Sequence, residues 1–123
     1  MTLDRFVIDT NIALYLLGDR LKQSLPLGIY FVSFISEMEL LSYPELTDSQ
    51  AKEIHRFLND LTVVNLDDEI KNLAIEWRKR YRLKLPDAII AATSLSLGAT
   101  LLTNDQQLLK LQELPTQSLA ISL

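Results

Sequence analysis

Four acidic residues stand where predicted strands end or predicted helices begin, and they are the main candidates for chemistry in this 123-residue sequence. They are Asp9, Glu39, Asp87 and Asp105. Carboxylates that share a small space repel one another and raise one another's pKa unless a cation lies among them. Oxygen ligands and the absence of cysteine favour a hard cation, Mg²⁺ or Mn²⁺, at one or two positions. Such ions activate water for hydrolysis of a phosphodiester.

Each acid also has a purely structural interpretation. Asp9 and Asp105 could cap the helices that follow them, and Asp87 could complement the positive end of a helix dipole. Ser36 and Glu39 have the S-x-x-E spacing of a capping box. Any one acid is explained by such a role, but four of them at one edge of a sheet favour a shared function.

The predicted elements determine whether these acids can meet. Apolar runs predict buried strands at 5–9, 28–33, 62–66 and 99–103, with a further edge strand at 119–123. Helices are predicted at 11–17, 35–42, 86–97 and 105–111 and after the caps Thr47 and Asp67. Alternating strands and helices predict one α/β domain over residues 1–123, with a mainly parallel sheet of four to five strands. Sites in such sheets form beyond the carboxyl ends of the strands, where Asp9 and Asp105 are expected.

Charge and composition narrow the classes of function. The net charge of −4 argues against a protein that coats nucleic acid by bulk electrostatics. Half of the twelve basic residues nevertheless fall in one segment: Lys71, Arg78, Lys79, Arg80, Arg82 and Lys84. This segment could follow a phosphate backbone, or it could be a solvated helix face. With neither a signal-peptide pattern nor a membrane-spanning run, a cytoplasmic location is expected.

Other catalytic schemes lack their parts. The only histidine, His55, lies beside the apolar stripe of a predicted helix, so we interpret it as structural rather than as the base of a Ser-His-Asp triad. Neither G-x-x-x-x-G-K-[ST] nor G-x-G-x-x-G occurs in the sequence, which argues against a nucleotide cofactor.

Four motifs in order resemble the PIN-domain family, and most closely its VapC-type toxin branch. They are D-T-N-I at 9–12, S-x-x-E-L-L at 36–41, L-P-D-A-I-I-A-A at 85–92 and G-A-T-L-L-T-N-D at 98–105. The ordered set is more specific than any one motif. The resemblance implies an α/β/α sandwich, Mg²⁺- or Mn²⁺-dependent endoribonuclease activity, a homodimer and inhibition by a small cognate antitoxin.

The resemblance also assigns roles to residues. The family's acidic positions match Asp9, Glu39, Asp87 and Asp105, and its small polar positions match Asn11 and Thr103. Asn11 would orient Asp9 or a metal-bound water, and Thr103 would hold the site by hydrogen bonds. Glu37 competes with Glu39 for the second position, but two residues apart on a helix they cannot face the same way. The basic residues Arg78, Lys79, Arg80, Arg82 and Lys84 would contact the RNA backbone.

Two other classes of function stay open at this stage. A catalytically silent PIN-like module would use the carboxylates as helix caps and bind only a partner protein. A phosphoryl-accepting regulatory domain also places acids at the carboxyl edge of a parallel sheet. That second class would want an acid two residues after Asp9, where Asn11 stands, and a lysine near the last strands, where Thr103 and Asn104 stand.

Overall fold

The apolar segments form one five-stranded sheet in this computed structural model, which describes residues 3–122. The strands are β1 (Arg5–Ile8), β2 (Ile29–Ser33), β3 (Thr62–Val64), β4 (Thr100–Leu102) and β5 (Thr116–Gln117). They lie in the order β3-β2-β1-β4-β5, and each neighbouring pair is parallel. The strand order changes direction between β1 and β4, so a crevice is expected beyond their carboxyl ends. The predicted α/β fold and its number of strands are confirmed.

Six helices lie within the described residues. They are α1 (Thr10–Leu17), α2 (Phe34–Leu41), α3 (Asp48–Asn59), α4 (Asp68–Tyr81), α5 (Leu85–Leu97) and α6 (Gln106–Leu109). Across residues 3–122, none of these helices is long and apolar enough to pass through a membrane.

Helices cover both faces of the sheet. Val7 of β1 packs in a cluster with Trp77 of α4 and Ile90 of α5. Its neighbours Phe6 and Ile8 pack in a second cluster, which contains residues of α1 and α3. Successive side chains of a strand point to opposite faces, so burial on both sides explains why Phe6, Val7 and Ile8 are all apolar rather than alternating with polar residues.

Several helix ends follow from their local sequence. Thr47 and Gln50 form a reciprocal capping box at the start of α3. The Asp67 carboxylate accepts a hydrogen bond of 2.8 Å from the Ile70 N–H at the start of α4. Gly98 ends α5 in the left-handed conformation, with φ of 61°, which glycine adopts without steric cost. These helix ends lie where the sequence predicts them.

The capping box predicted from Ser36 and Glu39 is wrong. Strand β2 passes directly into α2, and the Ser33 hydroxyl at the strand end accepts a hydrogen bond of 3.2 Å from the Ile35 N–H. Ser36 is therefore the third residue of α2, where it is fully buried. Because Ser33 takes the cap position, capping no longer explains why Glu39 is at its position.

The last strand does not lie at 119–123, where the edge strand was expected; Leu123 is outside the described residues. β5 lies earlier, at Thr116–Gln117. The side chain of Asn104 instead binds both backbone groups of Leu119, with its amide and its carbonyl each 2.8 Å from their partners. Beyond it the chain pairs with residues 20–22, through Ala120, Ile121 and Ser122. The expected strand is thus reduced to a short antiparallel bridge, which follows the side-chain hydrogen bonds of Asn104 to Leu119.

Candidate active site

The four predicted acids gather at the carboxyl edge of the sheet. Asp9 directly follows β1, and Asp105 follows the adjacent strand β4. Glu39 is on α2, which leaves the other neighbour of β1, and Asp87 is in the first turn of α5. The charges of Asp105 and Asp87 raise the pKa of Asp9, and those of Asp105 and Glu39 raise the pKa of Asp87. Each acid is therefore within electrostatic reach of at least one other.

Asp9 is the most enclosed of these acids, with 6% of its surface exposed. Burial is the main reason that its pKa is raised, and hydrogen bonds from Thr103 and from the Ile12 N–H lower it in part. The Ile12 N–H donates to Asp9 Oδ1 over 2.8 Å at the start of α1. Thr103 is fully buried, and its Oγ1 also accepts a hydrogen bond of 3.0 Å from the Asp105 N–H. Thr103 thus connects the two aspartates, as expected of a residue that holds the site by hydrogen bonds.

Asp105 caps a helix in the same way as Asp9. Its Oδ1 accepts hydrogen bonds from the N–H groups of Gln107, at 2.9 Å, and Leu108, at 3.2 Å. The capping interpretation is therefore correct for Asp9 and for Asp105. Both caps use Oδ1, and an ionised carboxylate has about four acceptor positions, so a cap leaves capacity for a further ligand.

Glu39 is held by a residue that the sequence does not single out. Thr10, the first residue of α1, donates a hydrogen bond of 2.7 Å to Glu39 Oε1, and its Oγ1 is 2.9 Å from Ser36 Oγ. Thr10 follows Asp9 directly, and α1 and α2 follow neighbouring strands, which is the only sequence signal for this contact. The glutamate thus oriented is Glu39 rather than Glu37.

Asp87 is only partly buried, at the start of α5. Its pKa is raised first by burial and then by the charge of Asp105. Lys84 lowers the pKa of Asp87, and Glu39 raises it by a smaller amount. Lys84 is therefore the basic residue whose charge acts on Asp87, one of the four acids of this cluster.

The expected role of Asn11 stays a prediction. It is the second residue of α1, and its side chain is exposed. Among the hydrogen bonds found within residues 3–122, the contacts from this turn to the neighbouring helix come from Thr10. The structure thus shows hydrogen bonds to the acids from Thr103 and Thr10.

Comparison with known families identifies the chain. The family model described as PIN domain matches residues 6–114. This chain belongs to the PIN-domain family. The match covers all four motifs that suggested the resemblance, and it confirms that part of the sequence interpretation. A search of curated protein sequences finds no significant match.

Solved structures with the same fold include toxin–antitoxin complexes. A toxin–antitoxin complex from Klebsiella pneumoniae is 26% identical over 86% of this chain and 92% of that one, with a TM-score of 0.74. VapBC2 from Rickettsia felis, bound to a DNA fragment from its promoter, is 18% identical over 94% and 99%, with a TM-score of 0.79. VapBC-1 from nontypeable Haemophilus influenzae is 23% identical over 93% and 97%, with a TM-score of 0.72. The neighbours agree with the VapC-type branch that the motifs resemble.

The basic segment of this PIN domain divides into three environments. Arg80 forms two hydrogen bonds with the Glu113 carboxylate, at 2.6 and 3.1 Å, which raise the pKa of Arg80. Lys84 lies near Asp87. The other four line a groove of about 650 Å³ between α4 and α5, together with Leu66, Ile75 and Leu85; they are Lys71, Arg78, Lys79 and Arg82. We call this surface the α4–α5 groove.

The donor atoms of the acidic cluster are all carboxylate oxygens. Hard divalent cations prefer such oxygen ligands, so the cluster fits a cation of that kind. Burial, and then the charges of neighbouring acids, raise the pKa of Asp9 and of Asp87, and a cation relieves the repulsion between those charges. Across residues 3–122, no group of three or more acidic or histidine side chains is already arranged as a metal-ligand set. Mg²⁺ commonly binds through one or two carboxylates and keeps several waters, so its binding does not need three preformed protein ligands.

Proposed function

We propose that this PIN domain is a divalent-metal-dependent endoribonuclease and the toxin of a type II toxin–antitoxin pair. One observation carries the proposal: Asp9, Glu39, Asp87 and Asp105 lie at the carboxyl edge of the sheet, where burial and then the charges of neighbouring acids raise the pKa of Asp9 and Asp87. Keeping like charges together costs stability unless a cation lies among them. Family membership and neighbours that are toxin–antitoxin complexes support the same function.

The four carboxylates are the groups that would hold Mg²⁺ or Mn²⁺, as one ion or two. When bound, the cation supplies a lowered pKa for water and stabilisation of negative charge on the phosphodiester. Hydrogen bonds from the Ile12 N–H and from Thr103 hold Asp9, and a hydrogen bond from the Gln107 N–H in the first turn of α6 holds Asp105. The protein thereby keeps its carboxylates in place before any cation or substrate arrives.

The basic residues would supply the path for the RNA backbone. Lys84 is near Asp87, and Arg78, Lys79 and Arg82 line the α4–α5 groove. Arg80 was expected to contact RNA as well, but its bond to Glu113 must be given up before it can do so. We therefore assign the backbone contacts mainly to Lys84 and to the three groove residues.

The proposed partners follow from the same assignment. The neighbouring structures are complexes of toxins with antitoxins, so we propose a small antitoxin that blocks the acidic edge or the RNA path. A homodimer and a cytoplasmic location also belong to this proposal. Size measurement of the purified chain, alone and after co-expression with a neighbouring small gene product, checks both protein partners.

A catalytically silent PIN module is the second candidate. Its support is that Asp9 and Asp105 both cap helices, and that no three-residue ligand set is preformed within residues 3–122. In that case the carboxylates would serve the fold alone, and divalent metal would not stabilise the protein specifically.

Cleavage of a mixed RNA pool by the purified chain tests the proposal. The wild type is incubated with EDTA, Mg²⁺ or Mn²⁺ beside Asp9→Asn, in which asparagine still caps α1. Asp60→Asn is the matched control, because Asp60 is exposed at the opposite, amino end of β3. We expect cleavage only with metal, at least about 100-fold slower in Asp9→Asn and unchanged in Asp60→Asn. Cleavage in EDTA, full activity of Asp9→Asn or no cleavage with either metal would contradict the proposal.

A further inference from the structure

The orientation of Glu39 distinguishes it from the two aspartates. Asp9 and Asp105 are fixed by N–H groups at the starts of α1 and α6. Glu39 lies in the interior of α2, where the helix uses its own N–H groups, so it cannot be held in that way. Its side chain is also longer and only partly buried, so it loses more rotamer freedom when it is fixed.

Thr10 supplies the missing constraint. Its hydroxyl donates to Glu39 Oε1 over 2.7 Å, and its Oγ1 is 2.9 Å from the hydroxyl of the fully buried Ser36. A hydroxyl can donate one hydrogen bond and accept others, so Thr10 can serve both neighbours. The β-branched side chain of threonine has restricted χ1 freedom, which limits where its hydroxyl can point.

The contact also connects two parts of the acidic cluster. Thr10 is bonded directly to Asp9, and its hydroxyl reaches across from α1 to α2. A shift of α2 relative to β1 would therefore move Glu39 against this hydrogen bond. Only Oε1 of Glu39 takes part, which leaves Oε2 for a cation or its water.

We propose that Thr10 is a positioning residue, whose hydroxyl fixes Glu39 in the orientation that binds the divalent cation. This inference rests on the proposed function, since it assigns a supporting residue to that site. Thr10 does not touch the cation itself in this assignment. Loss of a residue that orients a metal ligand commonly weakens metal binding by about 10- to 100-fold.

Three variants separate this role from a purely structural one. Thr10→Val keeps the shape of the side chain and removes the hydroxyl, whereas Thr10→Ser keeps the hydroxyl. Thr62→Val makes the same chemical change at an exposed position at the start of β3. The Mn²⁺ dissociation constant is measured by calorimetry on each folded protein, and circular dichroism in EDTA checks the fold.

We expect Thr10→Val to bind Mn²⁺ at least about tenfold more weakly than the wild type. Thr10→Ser should bind within about threefold of the wild type, and Thr62→Val should bind equally well. In RNA cleavage, the deficit of Thr10→Val should shrink as Mn²⁺ is raised, which a general structural defect would not do. Wild-type affinity in Thr10→Val, or a serine variant as weak as the valine variant, would overturn the positioning role.

The same experiment distinguishes this inference from the proposed function. If the wild type binds Mn²⁺ and loses affinity in Thr10→Val but cleaves no RNA, the positioning role survives and the ribonuclease proposal fails. If the wild type cleaves RNA with metal and Thr10→Val binds Mn²⁺ normally, the ribonuclease proposal survives and the positioning role of Thr10 fails. A wild type that binds no Mn²⁺ overturns both.

Discussion

The acidic edge of the sheet and the α4–α5 groove are both charged, but they hold their charges in different ways. Asp9 is buried and accepts a hydrogen bond from the Ile12 N–H, and Glu39 accepts one from the Thr10 hydroxyl. Arg78 and Lys79 are exposed on the surface of α4. Fixed carboxylates suit chemistry that needs atoms at set positions, whereas exposed surface cations suit attraction of a polyanion, which needs only charge at short range.

The two regions also differ in what they cost the fold. Arg78 and Lys79 are in the last turn of α4, where positive charge complements the helix dipole. These residues therefore have a structural benefit that would exist without any RNA. The acidic edge takes Asp9 and part of Asp87 out of water and brings negative charges together, and this burial, followed by the charges, raises the pKa of both aspartates. Since this arrangement opposes stability, it is the acidic edge that indicates a function.

The largest expected effect separates the cap of Asp105 from its proposed part in catalysis. Asp105→Asn keeps an acceptor for the Gln107 and Leu108 N–H groups, whereas Asp105→Ala removes it. We expect both variants to lose RNA cleavage by at least about 100-fold. Only the alanine variant should lose stability, by about 1 kcal/mol in denaturant unfolding with EDTA.

Activity of Asp105→Asn near that of the wild type would show that Asp105 is a cap alone. It would remove one of the four acids from the proposed site. An equal loss of stability in both variants would instead show that the charge of Asp105, rather than its hydrogen bonds, supports α6.

A second experiment neutralises the α4–α5 groove. Arg78→Gln with Lys79→Gln should raise the KM for single-stranded RNA by about tenfold and leave kcat nearly unchanged, because these cations contact the backbone and not the reacting bond. The dependence of log binding constant on log salt should become shallower by about 1.4. Lys52→Gln with Arg56→Gln on the exposed face of α3 is the control of equal charge. Equal KM values in the two double variants would remove the groove from the RNA path.

The smallest expected effect is on the pH dependence of stability in EDTA. The pKa of Asp87 is raised in the folded state, so the folded protein holds its proton to higher pH than the unfolded chain. Stability contributed by that proton is present at low pH and is lost as pH rises from about 4 through the raised pKa. Asp87→Asn should therefore melt slightly above the wild type at pH 7 and lose this advantage near pH 4. A variant that melts below the wild type at pH 7 would contradict the sign of this shift.

The positions of the four acids could be predicted because topology alone brings them together. Asp9 and Asp105 each follow a strand, and parallel pairing of β1 with β4 puts both carboxyl ends at one edge. Glu39 and Asp87 lie on helices that were expected to bring them to the same pocket, and the motifs agree with both positions. These predictions depend on the order of elements, which an apolar pattern shows well.

Contacts between side chains of different elements could not be predicted in the same way. Thr10 and Glu39 are 29 positions apart, and their hydrogen bond depends on how closely α1 packs beside α2. The motif instead suggested Asn11, which is exposed in the first turn of α1. The position of β5 was missed for a similar reason, because the Asn104 side chain takes the backbone groups of Leu119.

Calorimetric titration of Mn²⁺ into the metal-free protein tests most directly whether the four carboxylates form one cation site. The account predicts saturable binding to the wild type, weakened by at least about tenfold in Asp9→Asn, Glu39→Gln, Asp87→Asn and Asp105→Asn. Binding to Asp60→Asn should equal that of the wild type. Absence of saturable binding to the wild type, or affinities that none of the four substitutions changes, would contradict the account.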